Sequence, residues 1–530
     1  MGAELVLYNG RCYTMDAHQP LASALAMGDG RILYAGDDAT ARALLRPGGE
    51  AVDLRGACAL PGLTDAHFHL LLFAQGLQAV QAERPTPDEV LVQVAEQAAH
   101  KPAGSWIGGF GWNHNLWGGA FPTAAMLDRV APQHVVALSA KSGHALWVNS
   151  RALALAGITA ATPDPPGGRI VRDDRGQPTG VLLEEAMALV ERLRPQPTLD
   201  EVAVTLRQAL ALLHRAGLTG LHNFDGPPAL AALQVLRERG ELTLRVQQSV
   251  PLEHLDEAVG LGLRTGFGDD WLWIGQVKIF ADGALGPRTA WMLQGYEMEP
   301  HNTGIPTTPV EVIRRAVGKA NAAGLGCAIH AIGDRAVREV LGCFQEAQAQ
   351  GLGAGLRNRI EHVQLIHPED LGRLAALGVI ASMQPIHATS DMEMAERHWG
   401  ARSAGAYAWR SLWERGTVLA FGSDCPVETP DPLLGLHAAV TRRRADGSPG
   451  PEGWHPQQRL TAEQAVRGFT WGPAYAAGKE DRLGVLAPGK LADVTILDRD
   501  ILALPPMEIL QARVLGTMVG GRFAWRDGSL

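Results

Sequence analysis

Eight short β-rich runs, most of them separated by long helical stretches, constrain this chain more than any other feature. They are LTDAHFH (63–69), GLTGLHNF (217–224), LTLRVQQSV (242–250), LWIGQVKIF (272–280), GCAIHAIG (326–333), NRIEHVQLI (358–366), GVIASMQPI (378–386) and TVLAFGSD (417–424). The segments between them, such as PVEVIRRAVGKANAAG and PEDLGRLAALG, are rich in Ala, Leu, Glu and Arg and read as helices. Eight strands alternating with helices predict an α/β fold, a (β/α)8 TIM-like barrel.

The rest of the chain does not follow this repeat. Residues 1–57 and 484–530 are short alternating runs punctuated by Gly and Asp turns, as in ELVLYNGRCYTM and GVLAPGKLADVTILD. The simplest arrangement pairs the two chain ends into one small β-sandwich domain, with the barrel, 58–483, inserted between its halves. Residues from about 80 to 210 interrupt the barrel after its first strand and read as a large insertion. An insertion there leaves from the C-terminal face of the barrel, where active sites lie. Its Trp106, Trp112, Trp117 and Trp147 are candidates for an apolar wall, with packing of the insertion's own core as the ordinary alternative.

Bulk properties exclude several classes of function. A chain of 530 residues that is 46% hydrophobic and 19% charged is a multi-domain globular protein. Lys+Arg 47 against Asp+Glu 56 leaves a net charge of -9, and the short cluster TRRRADG (441–447) reads as a solvated loop, so no nucleic-acid partner is expected. No run approaches the ~18 apolar residues of a membrane helix, and no signal peptide or myristoylation motif is evident. Five scattered cysteines without a CxxC pair suit a reducing, cytoplasmic setting.

The chemistry starts in PGLTDAHFHL (61–70). On a strand, residues i and i+2 share a face, so His67 and His69 converge as two ligands of one metal would. Lys278 lies in the fourth run, His330 and His362 in the fifth and sixth, and Asp424 ends the eighth. Singly, such residues are ordinary: a packed histidine, a snorkelling lysine, a capping aspartate. Together they occupy the ends of strands that a barrel gathers around one mouth.

This ordered set resembles the amidohydrolase superfamily of metal-dependent hydrolases. PGLTDAHFHL is similar to its first-strand signature and FGSDCPV to its eighth. VKIFADGALG, HAIGDRAV, EHVQLI and RLGVLAPGKLADVTILD are similar to the N-substituted formamide deformylase-like branch. The resemblance implies that His67, His69, Lys278, His330, His362 and Asp424 ligate one or two divalent transition metals such as Zn2+. In two-metal members the lysine is carboxylated and bridges the ions. A bare ammonium has no lone pair to give, whereas a carbamate is anionic and offers two oxygens. A single ion beside an ordinary Lys278 is the alternative.

The expected activity is hydrolysis of a non-peptide C–N bond in a small-molecule substrate by metal-activated water, with Asp424 as the catalytic base and then acid. A lactone or ester hydrolase using the same centre is one alternative. A catalytically inactive binding or assembly barrel is another, and the filled ligand positions argue against it. Asp282 and Arg288 in ADGALGPRTA, His144 in KSGHALWVNS, and Trp112 are candidate substrate-binding residues, whereas His114, His222, His387 and His398 read as structural. A homodimer is expected by analogy with large hydrolases of this kind.

Overall fold

The computed structural model describes residues 2–142 and 144–530. Its backbone divides into two compact units, one made of Met1–Leu72 with Val202–Leu530, the other of Phe73–Glu201.

The first unit holds an eight-stranded parallel sheet: β1 (Leu63–Phe68), β2 (Leu218–Asn223), β3 (Arg245–Pro251), β4 (Leu272–Phe280), β5 (Cys327–Ala331), β6 (Arg359–His362), β7 (Ile380–Met383) and β8 (Leu419–Phe421). Each strand pairs with its sequence neighbour, in register from Leu218 opposite Leu63 on one side of the sheet to Met383 opposite Phe421 on the other. Beyond the strand ends, Phe68 bridges Cys425 in parallel, which brings the first and last strands together and nearly closes a barrel. Every expected strand is present, because a strand buried on both faces must read as a continuous apolar run. The connecting helices are amphipathic. Val310–Ala322 buries Ile313, Ala316, Val317 and Ala320, spaced three and four apart, against the sheet.

Two further sheets in this unit come from the chain ends. Four strands run in the order Arg31–Gly36, Ala24–Gly28, Ala3–Tyr8, Leu45–Asp53. A six-stranded sheet joins the termini, with Val494–Leu497 antiparallel to Cys58–Pro61 and Val494 opposite Pro61. One apolar cluster draws Leu5, Leu7, Leu25 and Met27 together with Cys12, Ala59, Val494, Ile496 and Met518.

The TRRRADG cluster is a partly exposed loop from Arg443 onward, but its first arginine is not solvated. Arg442 ends the helix Pro432–Thr441 and is fully buried, its guanidinium 4.5 Å from the Trp409 ring centre and 4.9 Å from that of Trp454. It donates to the carbonyls of Tyr407 and Trp454. A planar, weakly hydrated cation tolerates burial between aromatic faces.

The unit Phe73–Glu201 is built on its own six-stranded sheet, with Trp106–Trp112 between Val80–Gln81 and Val135–Ala140. Trp112 is fully buried there and its indole donates to the Leu138 carbonyl at 2.7 Å. It stacks on Trp117 at 6.2 Å and meets Trp147 edge-on at 6.5 Å. These rings pack with Val90 and Val94 of the helix Pro87–His100, so Trp112 is core rather than a substrate wall. Among the described residues, no helix is long and apolar enough to cross a membrane.

Candidate metal centre

Asp65 organises the mouth of the barrel. Its carboxylate accepts from the His67 backbone N–H at 3.0 Å, and from the backbone and hydroxyl of Ser423 at 3.0 and 2.6 Å. The Asp424 N–H donates to the His67 carbonyl at 2.8 Å, and the His69 N–H to the Cys425 carbonyl at 2.9 Å. The first-strand and eighth-strand motifs are therefore stitched to each other. Burial of Asp65 raises its carboxyl to about 7, with the hydrogen bonds from Ser423 and His67 opposing that rise.

Asp424 lies where the two motifs meet. Its Oδ1 is 3.4 Å from Nε2 of both His67 and His69. Ligand atoms of His67, His362 and Asp424 all lie within 4.8 Å of one another, an arrangement that could hold a metal ion. The His362 ring is centred 4.9 Å from that of His67 and 4.6 Å from that of His330. Lys278 reaches the same point from β4, its Nζ 3.3 Å from His67 Nε2 and 4.3 Å from the Phe224 ring centre. The structure thus brings all six sequence-derived residues to one mouth, and all six belong to the unit Met1–Leu72 with Val202–Leu530.

His67, His330 and His362 each keep one ring nitrogen occupied and the other available, whereas His69 faces a carboxylate at each nitrogen. His67 Nδ1 donates to Glu361 at 2.7 Å, and His362 Nδ1 to Gln384 at 2.8 Å. His69 Nδ1 stands 3.4 Å from Asp225. His330 uses the opposite atom: its Nε2 donates to the Gly283 carbonyl at 2.9 Å, which leaves Nδ1. Outer partners of this kind fix the tautomer and present a lone pair, so the donor set fits a transition metal.

Burial, with the charge of Lys278, lowers His67 to about 3 and His330 to about 4. Both are neutral, as ligation requires. Burial would also lower His69, but Asp225 and Asp424 outweigh it and raise the ring to about 9. Burial opposes ionisation of Asp424, yet His67, His69 and His362 hold its carboxyl well below the usual range. Lys278 is brought down to about 8, chiefly by burial.

The backbone departs from ordinary geometry at two of these residues. His362 has φ 74° and Asp424 φ 59°, a region that non-glycine residues seldom adopt. Regular alternation would send Glu361 and His362 to opposite faces of β6. The left-handed turn at His362 lets both reach the mouth.

The candidate substrate residues are placed differently. Asp282 is fully occupied, accepting from the backbone of Trp291, Ile332 and Gly333 at 2.8, 3.0 and 2.8 Å. It anchors the turn that carries Gly283 and stands 3.4 Å from His330 Nε2. Arg288 pairs with Glu299 at 3.2 Å, both half-exposed. His144, in the other unit, is exposed and pairs with Glu184 at 2.9 Å. His387, read as structural from sequence, stacks on the His362 ring at 6.1 Å.

Residues that sequence reasoning passed over complete the centre: Asp65, Asp225, Glu361, Gln384 and the rings of Phe224 and Phe280. A charged pair two apart in a strand meant for a barrel interior, Arg359 and Glu361, was the one local sign that such partners exist.

Comparison with known proteins bears on what this centre belongs to. The profile of the amidohydrolase family matches residues 50–524. The chain belongs to this family. Among curated relatives, N-substituted formamide deformylase of Arthrobacter pascens is 30% identical, covering 99% of each chain. Protein LONG AFTER FAR-RED 3 of Arabidopsis thaliana is 33% identical over 98% of this chain and 91% of its own. A crystal structure from Pyrococcus furiosus, described as an uncharacterized metal-dependent hydrolase, is 31% identical with a TM-score of 0.77, covering 94% of this chain and 99% of that one.

Proposed function

We propose that this amidohydrolase hydrolyses the C–N bond of a small non-peptide amide of the N-substituted formamide type, using a bound divalent transition metal such as zinc. The observation that carries the reading is the donor set, in which His67, His330 and His362 each keep one nitrogen available around an ionised Asp424 that also faces His69. The likeness to a formamide deformylase along the whole chain supports the substrate class.

His67 and His69 with Asp424 would hold one ion, and His330 and His362 a second. Lys278, carboxylated, would bridge them. When bound, such an ion supplies Lewis acidity, acidifying water and polarising the scissile carbonyl. The remaining work belongs to the chain. Asp424 accepts the proton of the attacking water at its carboxylate and returns it to the leaving nitrogen. The rings of Phe224 and Phe280 flank the Lys278 tip and keep bulk water from it. Five buried, unpaired cysteines support a cytoplasmic setting.

The test combines elemental analysis with a panel of N-alkyl and N-aryl formamides and matching esters and lactones. We expect one or two transition-metal ions per chain, formamide hydrolysis, its loss in strong chelator and its return with Zn2+. Full activity without metal would refute the mechanism. Turnover of esters or lactones alone would move the function to that alternative.

A further inference from the structure

A buried ion pair lies beneath the donor set. Arg359 and Glu361 are fully buried within the barrel and share a face of β6. The Arg359 guanidinium donates to both Glu361 oxygens, to the Ala66 carbonyl on β1, to the Ser382 hydroxyl on β7 at 2.8 Å, and to His222 Nδ1 on β2 at 2.8 Å. One side chain is thereby tied to four strands. Glu361 spends its remaining acceptor capacity on His67 Nδ1.

We propose that Arg359 and Glu361 are positioning residues for the metal centre: together they hold His67 in the tautomer that presents Nε2. The inference rests on the metal reading above. Glu361 could not do this alone, because a lone buried carboxylate would be protonated or would drag in water. Arg359 keeps it ionised and fixes its plane. Arg359 in turn has no freedom to reorient, since His222 and Ser382 occupy its outer donors. This assigns His222 a place in the support of the centre, three residues removed from the ion.

Glutamine at 361 cannot substitute. Arg359 needs an acceptor at each oxygen position, and an amide offers only one. If the amide oxygen faces the guanidinium Nε, the amide N–H2 faces His67 and favours the opposite tautomer, with Nε2 protonated. If it faces His67, the N–H2 opposes the Arg359 Nε–H.

The experiment uses metal-stripped full-length protein, with Zn2+ affinity read by competition against a chromophoric chelator and coordination read from the visible spectrum of bound Co2+. Glu361→Gln is expected to weaken Zn2+ binding by ~10–100-fold, the scale found for outer partners of metal ligands, and to shift the Co2+ bands. Because it strands a buried guanidinium, the double variant Glu361→Leu/Arg359→Met is measured beside it; this carries no stranded charge, leaves His67 Nδ1 without its acceptor and is expected to show the same loss. Wild-type affinity and spectrum in a folded double variant would overturn the role of the pair while leaving the metal reading intact. Wild-type protein that binds neither ion would overturn both.

Discussion

At the residue scale, the two groups least replaceable by shape alone are Asp424 and Lys278. Asp424 is held ionised by the histidines around it, so it is ready to accept a proton at neutral pH. Asp424→Asn keeps the volume and removes that capacity; turnover is expected to fall by ~10²-fold or more. Metal occupancy must be measured on the same sample, and near-normal turnover at full occupancy would remove Asp424 from the role of base. Lys278 stands 3.3 Å from His67 Nε2, where a bare ammonium would repel any ion the histidine holds. Lys278→Ala is expected to lose one ion and most activity, with partial return in high acetate or formate, whose two oxygens can occupy the vacated space. Lys278→Arg is expected to show no such return, because the guanidinium stays charged and fills the space. Two ions in active Lys278→Ala protein without added acid would show that no bridging carbamate is needed.

At the element scale, the centre depends on how closely β8 and the loop after it approach β1. Gly422 sits at that junction. A Cβ there would stand 2.4 Å from the Asp65 carboxylate and 2.5 Å from the His67 backbone nitrogen, contacts that backbone cannot relieve without moving a strand. Gly422→Ala is expected to destabilise the protein by about 1–3 kcal/mol, the usual cost of overpacking. It should also lower metal content, since Asp65 positions both His67 and Ser423. Metal content and unfolding midpoint equal to wild type would show that the junction has more slack than its contacts suggest. The left-handed backbone at His362 and Asp424 belongs to the same scale. Strain of this sort costs ~1–3 kcal/mol per residue and persists where surrounding structure enforces it, here through the Gln384 and Cys425 contacts on either side.

At the scale of the whole molecule, buried neutral histidines make stability depend on pH even away from the centre. His214, on the helix Leu199–Arg215, contacts the Leu218 carbonyl and the Thr243 hydroxyl, and burial lowers its ring to about 4. The unfolded chain protonates this ring near 6.5, so between those values the unfolded state binds the extra proton. Stability is therefore complete above 6.5 and is lost as pH falls towards 4, by up to about 3 kcal/mol from this ring alone. His214→Gln is expected to reduce the drop in urea midpoint between pH 7 and 4.5 relative to wild type. An unchanged drop would mean that the ring titrates normally in the fold.

Much of the architecture is legible along the chain because it rests on local periodicity. Eight buried strands must be apolar and short, their crossovers must be amphipathic helices, and ligands at strand ends must fall at the same point of each repeat. That logic brought His67, His69, Lys278, His330, His362 and Asp424 into view as residues of strand ends, and the resemblance to metal-dependent amidohydrolases gave them their expected role. It could not find what holds them. Glu361 beside His362, Asp225 after the second strand and Asp65 before the histidine pair look like ordinary charges in sequence, and become partners only when closure of the barrel sets them against rings from other strands. The same holds for Arg442, which reads as a loop charge until Trp409 and Trp454 close over it, and for Trp112, whose aromatic character says nothing of which side of its sheet is covered. A hydrogen bond is specified by distance and angle between groups, and for residues 294 positions apart, as His67 and Glu361 are, only the folded chain defines either.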